Sequence, residues 1–219
     1  MMYDWSPLLL SLELALFTTF FLVLIGVPLA YSLARSKSRF KFLVEAFVSL
    51  PLVLPPTVLG FYILVVFSPN SLVGSFLEEN FGYQLAFSFS GLVFASILYS
   101  LPFMVQPIQS GLQNLSPSLS EAAFTMGKNK WQVLLHVLIP NIKPAILTGI
   151  VLSFAHTLGE FGVVLMIGGK IANETLVASI AVYDKVEALE YGQANFYSLV
   201  LLMSSFFILS VTYFINKKI

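Results

Sequence analysis

LSPSLSEAAFTMGKNKWQVLLHVLIPNI, residues 115–142, is the stretch on which the reading of the whole chain turns. It interrupts a sequence that is 58% hydrophobic and only 10% charged, where soluble domains carry roughly a quarter charged residues. The stretch is too polar to cross a bilayer and too patterned to be a linker. Ser116 followed by Pro117 is a helix start, a capping hydroxyl and then a proline in the first turn. Ser118-Leu119-Ser120-Glu121 also fits a capping box, which would begin the helix two residues later. Gly127 suits the left-handed position that ends a helix. The expected helix has about ten residues and is about 15 Å long. Trp131, Leu134, Leu135 and Leu138 fall at i, i+3, i+4 and i+7 and predict a second helix with one apolar stripe, broken by Pro140 and Pro144. Ala122 and Ala123 give the first helix a narrow face. Such a helix either enters a groove on a partner or lies on a membrane surface.

Working outward, five runs are apolar and long enough to span a bilayer, which takes about 20 residues. They lie near Leu8–Ala34, Leu43–Phe67, Phe87–Ser110, Pro144–Gly168 and Phe196–Ile215. The quoted stretch sits in the loop between the third and fourth, about residues 111–143. Basic residues divide sharply. Arg35, Lys37, Arg39, Lys41, Lys128, Lys130, Lys143, Lys217 and Lys218 all fall on one side of a five-span chain, leaving only Lys170 and Lys185 on the other. By the positive-inside rule, the first and third loops and the C-terminus are cytoplasmic and the N-terminus is outside. Met1–Pro7 contains Asp4 and no Lys or Arg, so the first run is expected to be a retained span and not a secretory signal. No second domain, repeat or low-complexity tract is visible, and residues 1–219 read as one transmembrane domain. The absence of cysteine excludes a disulfide framework, an Fe–S cluster and a Cys-based zinc site.

Pro51, Pro55 and Pro56 fall in the second run, and Pro102 and Pro107 in the third. Each removes a backbone donor and kinks or breaks a helix. They read either as ordinary bundle packing or as kinked helices lining a cavity that opens and closes. Charge is nearly missing from the runs: Glu13, Glu45 and Glu160 fall in or near them, and no Lys or Arg does. A relay of buried ionisable groups, expected of an ion pump, is not there, nor is a cation to grip an anion tightly. Glu160 is either a satisfied buried carboxylate or part of a pathway wall.

Other chemistry is poorly supported. Gly168-Gly169-Lys170-Ile171 lacks the upstream Gly and the following Ser or Thr of a phosphate loop. His156 and Glu160 share a helix face, but the second histidine of a metalloprotease motif is missing. Asn173-Glu174-Thr175 fits the glycosylation pattern by chance, and Thr175–Leu189 reads as a short amphipathic helix at the outer interface. An intramembrane enzyme would need converging titratable groups, and a passive channel would need no cytoplasmic helix of this kind.

Glu121-Ala122-Ala123, then Gly127, then Ile139-Pro140 resemble the EAA signature of ABC importer permeases: EAA, three residues, Gly, nine residues, Ile, any residue, Leu-Pro. Val137 and Ile139 stand where that pattern has Ile and Leu. The resemblance implies that the helix docks on an ATPase subunit and transmits its motion through Glu121, Ala122, Ala123, Gly127, Ile139 and Pro140. Leu50–Gly60, with Pro55, Pro56 and Thr57, is similar to the second span of molybdate permeases. Leu158-Gly159-Glu160-Phe161-Gly162, Ile167-Gly168-Gly169 and Asn173-Glu174-Thr175 are similar to their fourth span and outer loop. Sulfate/thiosulfate permeases share the Leu-Gly-Glu-Phe-Gly segment. The outer loop reads Lys170-Ile171-Ala172-Asn173-Glu174-Thr175 where the family has Asn-Ile-Pro-Gly-Glu-Thr. The implied fold is the type I ABC importer permease, an all-α five-transmembrane-helix bundle with a cytoplasmic coupling helix, in the bacterial inner membrane. The implied partners are two copies of the ATPase and a periplasmic oxyanion-binding protein, around a path for molybdate, tungstate or sulfate lined by Pro55, Pro56, Thr57 and Glu160. One copy has too few helices to enclose a polar path, so a homodimer in contact with lipid is expected. Neither a cofactor nor nucleic acid is implied, and ATP hydrolysis falls to the partner chain.

Reporter fusions after Phe40 and Lys130 are expected to report cytoplasm, and fusions near Asn80 and Glu187 the outside. A periplasmic signal at Lys130 would overturn both the span count and the docking helix.

Overall fold

Three stretches of this chain are helical and apolar over more length than a bilayer needs, and they form its frame. The computed structural model describes residues 4–216. In it α1 (Ser6–Arg35), α5 (Phe89–Gln113) and α12 (Tyr191–Asn216) have 30, 25 and 26 residues. The others are α2 (Lys41–Ser49), α3 (Pro56–Phe67), α4 (Leu72–Phe81), α6 (Pro117–Thr125), α7 (Lys130–Val133), α8 (Ile139–Asn141), α9 (Lys143–Leu158), α10 (Gly162–Gly168) and α11 (Ala178–Glu187). Lys217 and Lys218, counted above on the cytoplasmic side, lie outside the described residues, as do Met1–Tyr3. The frame helices carry prolines without ending: Pro28 lies inside α1, and Pro102 and Pro107 inside α5.

The second and fourth spans differ from the single helices expected over Leu43–Phe67 and Pro144–Gly168. Lys41–Leu52 meets Pro56–Phe67 at 110°. The cause is the pair Pro55-Pro56. A residue before proline is pushed out of the helical region, and Pro55, itself before a proline, is extended with ψ 136°. Pro56 then starts α3 at a first-turn position, where its missing N–H costs nothing. In the fourth span, α9 stops at Leu158, and α10 begins only at Gly162. Gly159 and Gly162 flank this break, and glycine is a poor helix former. A further bend of 81° separates Lys130–Asn141 from Lys143–Leu158. The short outer helix expected over Thr175–Leu189 is α11. Not foreseen is α4, which begins where Ser71 Oγ accepts from Gly74 N at 2.9 Å.

Packing joins the broken helices to the frame. One buried cluster runs from Leu22, Ala30 and Leu33 of α1 through Met104, Ile108 and Leu112 of α5 to Ala123, Leu134 and Ile142. A second joins Leu14, Leu92 and Ala95 to Val163, Val164 and Ile167 of α10 and Ile180 of α11. Between α3 and α10 the backbones nearly touch. A Cβ built on Gly60 would stand 2.8 Å from Met166 Cβ and 3.0 Å from Val163 Cα. Gly60→Ala is therefore expected to cost about 1–3 kcal/mol, the usual range for overpacking, and to lower the thermal midpoint. Gly192→Ala meets nothing within 4 Å and is expected to stay within about 0.5 kcal/mol. Equal midpoints for the two variants would refute the close α3–α10 contact.

Candidate functional site

The quoted loop folds as two short helices joined at Gly127. Gly127 has φ +77°, a conformation that costs residues with a Cβ free energy. Around it, Lys128 N bonds Ala123 O at 3.1 Å and Gly127 N bonds Phe124 O at 2.9 Å, the complete Schellman pattern. The helix start differs from expectation. Ser116 precedes Pro117 as foreseen, but its hydroxyl bonds Ser118 Oγ at 2.7 Å and caps nothing. The capping box lies instead at Asn129 and Gln132, with bonds of 2.9 and 3.0 Å. An Asn-x-x-Gln spacing carries that signal in the sequence.

The two alanines do not share a face. Ala122 is exposed, while Ala123 is 5% exposed and belongs to the core cluster of α1 and α5. Ser120 is buried beside it and accepts from Arg35 Nη2 at 2.9 Å, which ties α6 to the end of α1. Glu121, Ala122 and Pro140 face outward, and Ile139 packs partly on the core. Sequence reasoning missed Leu119, Phe124 and Met126, which complete an exposed apolar surface on and just after α6. The stripe on the second helix is also corrected. Val133, Leu134, Leu138 and Ile142 are buried, whereas Trp131 and Leu135 are exposed. The cause is a π-helical turn over Leu134–Leu138, closed by Ile139 N on Leu134 O, ahead of Pro140. An i+5 turn rotates everything after it away from the 3.6-residue period.

At the other end of the molecule, the breaks before α3 and α10 open onto one cleft of about 430 Å³. Pro56, Thr57, Tyr99, His156 and Gly159–Gly162 line it, so three of the four pathway candidates, Pro56, Thr57 and Glu160, come together. Pro55 is exposed just outside this lining. Glu160 is 4% exposed, and neither carboxylate oxygen has a hydrogen-bond partner. Its carbonyl accepts from Ser179 Oγ on α11 at 2.5 Å. His156 Nδ1 bonds Ser100 Oγ at 2.9 Å, and its ring stacks on Phe103 at 4.1 Å. Among the described residues no three His, Cys, Asp or Glu side chains gather as a metal site. The cleft offers a hydroxyl, a phenol and an imidazole, but no cation.

Outside the cleft, Lys170 reaches Asp184 at 2.8 Å and Glu187 at 3.0 Å. Those hydrogen bonds hold its ammonium above the usual lysine range. Thr175, buried, donates to Gly168 O at 2.7 Å and closes the turn around Lys170. Tyr183 OH donates to Glu187 at 2.6 Å, and that bond, followed by Lys170, lowers the Glu187 carboxyl below its ordinary value of 4.5. The contribution of this cluster is therefore complete above that value and is lost as pH falls through the lowered one. Amide hydrogen exchange in residues 169–176 is expected to quicken on acidification below about pH 4 after correction for intrinsic rates, and Glu187→Gln to remove most of that dependence. A flat profile in the unmodified chain would show that the cluster does not hold the loop.

Known proteins share both the sequence and the fold. The family described as "Binding-protein-dependent transport system inner membrane component" matches residues 23–219. The molybdenum transport system permease protein ModB of Azotobacter vinelandii is 44% identical over 211 residues, 96% of this chain and 93% of that one. The sulfate transport system permease protein CysT of Escherichia coli K12 is 34% identical over 184 residues, 84% of this chain and 66% of that one. A chain of the MetNI methionine ABC transporter, solved in inward-facing conformations, superposes with a TM-score of 0.73 at 16% identity, covering 97% of this chain and 94% of that one.

Proposed function

Since this chain belongs to the family of inner membrane components of binding-protein-dependent transport systems, multi-pass transport subunits and not enzymes, we propose that it is the permease of an importer that carries molybdate inward, driven by a separate ATPase. The observation that carries the substrate is the near-full-length 44% identity to a molybdenum permease, against 34% to a sulfate permease. The cleft is consistent with it: a path without a cation lets a dianion pass and leaves tight binding to another polypeptide. Residues 1–219 act as one transmembrane domain. Two copies face each other, and the path runs between them from the cleft at Pro55, Pro56, Thr57 and Glu160. The N-terminus lies outside and the C-terminus in the cytoplasm. An oxyanion-binding protein delivers substrate at the outer face, where α11 lies.

On the cytoplasmic side, α6 docks on the ATPase through its outer surface. Glu121, Ala122, Phe124 and Met126 make the contact, while Gly127 and Pro140 set the angle of the hairpin. Ala123, Ser120 and Ile139 face the bundle, so they carry motion inward and do not touch the partner. Tungstate and sulfate are tetrahedral dianions like molybdate, and they are the competitors that matter.

The test is uptake of labelled molybdate into vesicles holding the permease, its ATPase and its binding protein. Uptake is expected to need all three and to be competed by tungstate more than by sulfate. Ala122→Trp is expected to cut uptake at least tenfold with normal membrane insertion, and Ala123→Trp to lower the yield of folded protein. Sulfate competing as well as molybdate would overturn the substrate assignment. Full uptake by Ala122→Trp would overturn the docking face.

A further inference from the structure

The side of α5 that α1 and α9 leave uncovered is polar at a depth where lipid-facing surfaces are not. Tyr99, Phe103, Gln106, Ser110 and Gln113 follow one another at steps of four and three residues and so share one face. Gln106, Ser110 and Gln113 on it are exposed. Gln106 lies about 10 Å from the end of a helix about 37 Å long, longer than the bilayer core of about 30 Å. Exposed positions on α1 and α12 at comparable depth are Leu12, Phe20, Leu24, Leu202 and Phe206. A carboxamide moved into hydrocarbon without partners costs about 2–7 kcal/mol. The α5 face is therefore not turned to lipid.

Two bonds connect this face to α2, the helix cut off from α3 by the Pro55-Pro56 break. Gln106 Nε2 donates to Ser49 Oγ at 3.1 Å, and Gln109 Nε2 donates to Glu45 Oε1 at 2.5 Å. Lys41 Nζ lies 3.4 Å from the same Glu45 oxygen, so the carboxylate is balanced by a cation and a donor. Val48 is the residue that α2 buries, and these polar bonds supply much of what else fixes it. At its outer end the stripe begins at Tyr99, in the wall of the cleft with Thr57 and Glu160. Over the 14 residues from Tyr99 to Gln113 it runs about 21 Å toward α6.

We infer that Gln106 and Gln109 of α5, with Ser49 of α2, line the cytoplasmic half of the transport path and hand a tetrahedral oxyanion inward through neutral hydrogen-bond donors. The inference rests on the reading of the chain as an oxyanion permease. The chemistry suits transit. A carboxamide N–H or a hydroxyl makes a charge-assisted bond to an anion, yet no fixed positive charge holds the anion there. A pathway must bind well enough to admit an ion and weakly enough to release it. Each carboxamide has a second N–H besides the one it gives to Ser49 or Glu45. Lys41 and Glu45 balance each other at the inner mouth, so a departing dianion meets no unpaired carboxylate.

The chain has no cysteine, so single-cysteine variants need no background removed. In inverted vesicles holding the complete transporter, Gln106→Cys and Phe206→Cys are treated with a charged, membrane-impermeant methanethiosulfonate. Gln106→Cys is expected to react at least tenfold faster. In uptake, Gln106→Leu with Gln109→Leu is expected to lower kcat at least tenfold while the complex assembles in normal amount, and Gln106→Asn to keep more than half of it. Labelling of Gln106→Cys no faster than Phe206→Cys would overturn the inference even if the Leu variants failed to fold. So would full uptake by the double Leu variant. The labelling contrast needs no substrate. If it holds while molybdate is not carried, the path stands and the substrate assignment falls.

Discussion

A helix broken inside a bilayer leaves backbone N–H and C=O groups that hydrocarbon cannot satisfy, and the architecture of this chain depends on where those breaks are put. They occur at Pro55-Pro56 and at Gly159–Phe161, and the structure brings both to the same cleft. The cost of irregular backbone is thereby confined to one wetted place. Every other long apolar element is continuous: α1, α5 and α12 run unbroken, through prolines in the first two. Gly60 allows α3 to lie against α10 closely enough that the two half-helices cover each other.

The same economy governs charge. The only carboxylate in the cleft wall, Glu160, is 4% exposed, sits beside neutral groups and is shut away from the opening. The ion pairs lie at the two ends. Lys170 with Asp184 and Glu187 braces the outer turn, and Lys41 with Glu45 sits near the inner mouth. Between them the surfaces away from lipid carry hydroxyls, carboxamides and aromatic rings. A chain arranged this way moves an ion without storing it, which is the division of labour expected when affinity belongs to a separate binding protein.

Motion has a route through the protein as well. The cytoplasmic hairpin is not a loose appendage. Ala123 sits in the same buried cluster as Leu33, Met104 and Leu112, and Ser120 is bonded to Arg35. A push on the outer surface of α6 therefore reaches α1 and α5 through packed side chains. By contrast α2 buries one residue, Val48, and is held otherwise by hydrogen bonds of the kind water can replace. The firm contact is where force enters, and the looser one lies beside the path.

The number of spanning segments, the sidedness of the basic residues and the cytoplasmic signature were all visible in the sequence, because apolar length, Lys and Arg positions and a glycine in a helix-ending position are local properties. Gly127 at φ +77° needed only its neighbours to be foreseen. What tertiary structure decided was direction. Ala122 and Ala123 are adjacent in sequence and alike in chemistry, yet one faces solvent and the other the core, because α1 and α5 lie on only one side of α6. Trp131 and Leu135 fit the expected apolar stripe, but a π turn before Pro140 rotated the buried set to Val133, Leu134, Leu138 and Ile142. Pro56, Thr57 and Glu160, about a hundred residues apart, meet only because α3 packs on α10. No periodicity along one strand of sequence can report a contact that two distant backbones make.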